Sequence, residues 1–185
     1  MPHGRRRKRT GALARSREAK PLRRISAPAV ESVLGASATP RDTAPADSSF
    51  ASIVGSSAHQ ARHEDAVTRL VNAIRTKSGL PPLRTDERLR AAARGHSKDM
   101  ARRDFCAHVD PDGRAPADRM RAAGHPRPGG ENVARGQEDP RTVVQAWLDS
   151  PGHRANLLNA EFTTIGVGVH FLSGKGPYWT QNFGY

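Results

Sequence analysis

Three residues of this 185-residue chain carry the types that chemistry needs: His108, Glu131 and His153, each close to glycine, proline or aspartate. Loops of that composition often hold binding groups that a scaffold positions. Brought together, two neutral imidazoles and a carboxylate supply an open zinc site with water in the fourth place. Without metal, the carboxylate favours the protonated imidazoles. In a third arrangement Glu131 and His153 only hydrogen-bond loop backbone and lock the walls of a cleft. The separations, 23 residues from 108 to 131 and 22 from 131 to 153, are not the i, i+4 pairs of a helical zinc motif, so spacing alone does not choose.

Other polar residues read as structural. His96 falls in the stripe Leu89, Ala92, Ala93, His96, Met100, the pattern of a packed, hydrogen-bonded core histidine. The lone Cys106, beside Phe105, reads as a small buried hydrophobe, and a single cysteine excludes an intramolecular disulfide. Asn132 is expected to satisfy buried backbone groups, and Trp147 and Trp179 to fill the core. Gly166 and Gly168 mark a close approach of helix and strand. Gln181 and Asn182 either line the cleft or pair across the sheet.

The elements that must position these residues follow from periodicity. Val67, Leu70, Val71 and Ile74 repeat at helical spacing between His63 and Ser78, with Gly79 and Pro81-Pro82 as the stop. A second helix is expected from an N-cap at Thr85, a short one from Pro116 to Ala123, and another from Asp139-Pro140 to Ser150. Asn156-Leu157-Leu158 adds one turn. The period then becomes two: Ile165 to Phe171 and Tyr178 to Phe183 predict an antiparallel hairpin, with a further strand around Asn132 to Ala134. The class is α+β.

Six segments, in order, resemble the CAP domain, named for cysteine-rich secretory proteins, antigen 5 and pathogenesis-related proteins and also called the SCP domain, in its short bacterial form. They are Phe105-Cys106-Ala107-His108, Asp110-Pro111-Asp112-Gly113, Gly130-Glu131-Asn132-Val133-Ala134, Trp147 through Leu158, Ile165-Gly166-Val167-Gly168, and Tyr178 through Gly184. The resemblance covers about 63–185. It implies an α-β-α sandwich, a small antiparallel sheet flanked by helices, and a central cleft where His108, Glu131 and His153 converge on a ligand or a divalent metal such as zinc. Larger members carry a second glutamate three residues after the helix tryptophan. That place is Ser150 here, so the full tetrad is absent.

Residues 1–60 differ in composition. Residues 1–62 hold 12 basic and 4 acidic side chains and too few large apolar ones to offset backbone ordering. They are expected to be a largely disordered basic segment and linker, with a degenerate export signal to about residue 38, ahead of the domain at 61–185. The chain's net charge is +12, which invites a nucleic-acid or anionic-membrane partner. Arginine outnumbers lysine 25 to 5 and no aromatics interleave in the basic cluster, which argues against nucleic acid. No run is long enough for a transmembrane helix. The expected function is a noncatalytic, monomeric module, secreted or in the cell envelope, that binds a small-molecule, lipid or peptide ligand. One alternative is a metal-dependent or serine-type hydrolase, with Ser150 as nucleophile, His153 as base and Glu131 as orienter. Another is a cytoplasmic protein whose basic arm binds nucleic acid or lipid.

Overall fold

The structure, a computed structural model, describes residues 48–185, with side chains from residue 57. The segment expected to be a degenerate export signal and the basic cluster lie outside the described residues. The first helix, α1 (Ser48–Lys77), begins well before His63, because Ala58, Gln60 and Ala61 are good helix formers and carry it into the expected linker. It buries Val67 and Val71. Its C-terminal turn is closed by Leu80 N–H donating to the Arg75 carbonyl at 2.9 Å, with Gly79 at φ +76°.

A two-residue strand, β1 (Arg84–Thr85), precedes α2 (Glu87–Arg103). The N-cap is therefore Asp86 and not Thr85. Asp86 Oδ1 accepts from Arg88 N at 2.9 Å and Leu89 N at 3.2 Å. Thr85 is instead committed to pairing with Ile165. Then follow α3 (Pro116–Ala122), β2 (Pro128–Arg135), α4 (Pro140–Asp149), α5 (Pro151–Leu157), β3 (Thr164–Leu172) and β4 (Gly176–Gly184). The single turn expected at 156–158 is the end of α5, which Pro151 opens at its first position.

The sheet order is β1-β3-β4-β2. β3, β4 and β2 are antiparallel neighbours, but β1 joins β3 in parallel, so the sheet is mixed rather than antiparallel. Alternation along β3 divides the layers. Ile165, Val167 and Val169 face Val67 and Val71 of α1 and Val143, Val144 and Trp147 of α4. Gly166 and Gly168 face α2: a Cβ on either would collide with the backbone of Leu89 and Arg90, or of Ala93 and Arg94. The result is the α-β-α sandwich expected.

Two buried charges tie the layers. Arg75 is fully buried and donates to the carbonyls of Pro81, Leu157 and Asn159 at 2.8–3.0 Å, stitching α1 to the segment after α5. Glu64 is fully buried on α1, binds Arg94 of α2 through both oxygens and accepts from Val169 N at 3.3 Å. Among the described residues, no helix is long and apolar enough to cross a membrane.

Candidate functional site

β2 is an edge strand, and its alternation sends neighbouring residues to opposite faces. Glu131 pairs in register with Asn182, and Asn132 with Gln181. Glu131 thus turns toward α2 and α3, and Asn132 toward α5. Two glycines precede Glu131 because space runs out there: a Cβ on Gly130 would lie 2.7 Å from Asn156 Oδ1.

The Glu131 side chain is 1% exposed and both its oxygens are in use. Oε1 is 2.9 Å from His108 Nδ1, and Oε2 accepts from Arg119 at 2.8 Å. Arg119, itself largely buried, also donates to the carbonyls of His108 and Arg114 at 2.8 Å. One guanidinium therefore fixes both the carboxylate and the loop that carries His108. The Asn182 amide adds a donor when its nitrogen faces the carboxylate, 3.1 Å from Oε2, with its oxygen then accepting from Ala93 N at 3.2 Å. The bond to Glu131 raises the pKa of His108 above the ordinary 6.5, against the effects of burial and Arg119. His108 remains half-exposed, so a charged imidazole edge can meet solvent.

The loop that carries His108 is held from within. Asp110 is buried and its Oδ1 accepts from Asp112 N and Arg114 N at 3.0 and 2.9 Å, an aspartate turn of the type its sequence announces. His96 lies beneath, 1% exposed, with Nε2 2.9 Å from the Ala107 carbonyl. It is the packed histidine expected, and its burial pushes the pKa down. Cys106 is exposed, not buried. The helix ends at Arg103, and Asp104 in the left-handed region (φ +55°) turns the chain away before the apolar stripe can include the cysteine.

His153 approaches on the first turn of α5. Its carbonyl accepts from Asn132 Nδ2 at 3.2 Å, and Asn132 also donates to Gln181 Oε1 at 3.0 Å while accepting from Asn156 at 2.9 Å. Asn132 thus satisfies buried groups, as its sequence context suggests, and Gln181 pairs across the sheet. The His153 ring is half-buried. Its pKa is lowered by burial and by the charge of His108, which places it in the electrostatic reach of that residue. Among the described residues no hydrogen bond joins its ring to Glu131, His108 or Ser150.

The trio therefore assembles unequally: His108 and Glu131 are bonded, whereas His153 is linked to them only through the charge of His108. A zinc ion does not fit this arrangement. Glu131 has no free oxygen, Arg119 supplies the cation, and among the described residues no three histidine, cysteine, aspartate or glutamate side chains are placed to share a metal. The sequence reading missed Arg119. Its only signal was a long cation next to the inward-facing Met120 in a short helix.

Comparison with known proteins agrees with this architecture. The model of the cysteine-rich secretory protein family matches residues 68–183. The uncharacterized protein YkwD of Bacillus subtilis is 44% identical over 122 residues, 65% of this chain and 46% of that protein. A crystal structure of an extracellular protein containing an SCP domain from Bacillus anthracis superposes with a TM-score of 0.64 at 33% identity, covering 77% of this chain and 45% of that one. An outer surface protein of Borrelia burgdorferi shares the fold, with a TM-score of 0.58 at 24% identity over 63% of this chain and 87% of its own. This chain spans less than half the length of YkwD.

Proposed function

Since the chain belongs to the cysteine-rich secretory protein (CAP) family, we propose that it is a noncatalytic module of the cell envelope or extracellular space that binds a small-molecule, lipid or peptide ligand at the cleft formed by His108, Glu131 and His153. The observation that carries this reading is the buried Glu131 carboxylate, with one oxygen held by His108 and the other by Arg119. A general base or metal ligand must turn an oxygen toward the group it acts on, which this buried carboxylate with both oxygens engaged does not do, whereas a recognition site needs fixed donors facing solvent. The half-exposed rings of His108 and His153 are such donors. The serine hydrolase reading lacks its central contact, because a nucleophile and its base must stand within hydrogen-bond reach. Export is supported by the extracellular and outer-surface relatives.

The test is nuclear magnetic resonance mapping of the full chain against two probes, short peptides with a free carboxylate and lysophospholipid micelles. The expected result is saturable shifts at the backbone amides of residues 106–114 and 150–156 with one probe class, lost in the His108→Ala/His153→Ala variant. Shifts that survive this double substitution, or none with either probe, overturn the proposal.

A further inference from the structure

We propose that His59 and His63, on α1 and outside the cleft, form a binding site for a late first-row divalent cation such as zinc, nickel or copper. The run His59-Gln60-Ala61-Arg62-His63 places two imidazoles four residues apart on one helix, and side chains at that spacing share a face. The two rings are in contact, with centroids 4.3 Å apart and planes tilted by 49°.

The hydrogen bonding of His63 suits a metal ligand. His63 Nδ1 lies 3.0 Å from the His59 carbonyl. A carbonyl only accepts, so Nδ1 carries the proton in that bond, and the neutral ring keeps its lone pair on Nε2. A backbone bond of this kind fixes tautomer and ring direction in histidines that ligate metals. Among the described residues, no hydrogen bond occupies His63 Nε2 or either ring nitrogen of His59.

The rings are also held in place before any ion arrives. Phe171 lies 4.9 Å from the His59 ring and 5.2 Å from the His63 ring, and Trp179 lies 6.3 Å from the latter. This aromatic bed at one end of the β3-β4 hairpin restricts rotation, which reduces the entropy a chelate would lose. His59 is exposed and His63 half-buried, so an ion reaches them from solvent.

The donor set selects the metal class. Two neutral imidazoles with no carboxylate attract zinc, nickel and copper far better than magnesium or calcium, which need oxygen ligands. Arg62 contributes an opposing positive charge. Water fills the remaining positions, since no third protein ligand is present among the described residues.

The experiment is titration of the full chain with zinc near neutral pH, followed by calorimetry and by the ring-proton resonances of the histidines. His59→Phe and His63→Phe keep an aromatic ring on Phe171 and remove the donor nitrogens. One zinc per chain is expected, with shifts at His59 and His63, and either Phe variant weakens binding at least about tenfold. The His108→Gln/His153→Gln variant leaves the affinity unchanged. Binding that persists in both Phe variants, binding lost with the cleft variant, or no saturation below about 1 mM overturns the proposal.

Discussion

Replacing Arg119 with methionine keeps much of its apolar stem and removes the charge. The Glu131 side chain, 1% exposed, is then a buried carboxylate with His108 as its remaining ion-pair partner. Breaking a buried pair by removing one member costs about 3–5 kcal/mol. With His108 and Asn182 still in place, the low end of about 3 kcal/mol is expected. The same substitution takes a donor from the carbonyls of His108 and Arg114, so the loop at 108–114 loosens as well. At about 4 °C per kcal/mol for a domain of this size, Tm falls by roughly 12 °C. A double-mutant cycle with Glu131→Gln isolates the pair. The double variant no longer strands a charge, so it is more stable than the sum of the single costs implies, with a coupling of about 1–3 kcal/mol. Urea unfolding of the four proteins at neutral pH measures this coupling. If the two single costs add to within about 0.5 kcal/mol, the guanidinium is not what holds the carboxylate, and the cleft is built on some other contact.

Three further outcomes follow from the same geometry. The folded pKa of His108 is raised by its bond to Glu131, so its stabilisation is complete below the unfolded value of 6.5 and is lost as pH rises through the raised one. The penalty of His108→Gln, measured by thermal melts, is therefore larger at about pH 5.5 than at about pH 8.5, and an equal penalty contradicts the ion pair. Gly168→Ala drives a Cβ into the backbone of Ala93 and Arg94 and should cost about 3 kcal/mol in urea unfolding, whereas a neutral result removes the close packing of α2 on β3. Asn132→Ala strips partners from the His153 carbonyl, Gln181 and Asn156. It should cost about 2 kcal/mol and speed amide exchange in α5, and unchanged exchange rejects the asparagine bridge.

Much of the fold was legible because its signals are local. The stripe of α1, the Asp139-Pro140 start of α4 and the two-residue period of β3 and β4 each depend on neighbours within a few positions. Where the reading failed, a distant partner or an unforeseen turn had intervened. Thr85 looked like an N-cap until its pairing with Ile165 drew it into β1. Cys106 followed an apolar stripe, but the left-handed turn at Asp104 put it in solvent. The i, i+4 pair on α1 was visible in the sequence, yet it fell at the border of a segment read as linker.

The order of residue types along the polymer was enough to name His108, Glu131 and His153 and to identify the family, since motif and period are properties of the chain itself. How those residues share their bonds was a matter for three dimensions. Glu131 meets Arg119 across 12 residues and His108 across 23, and no local pattern encodes which oxygen is left free. Here none is, because burial obliges a carboxylate to find partners for its charge, and the nearest cation belonged to a helix whose position beside β2 only the folded chain reveals.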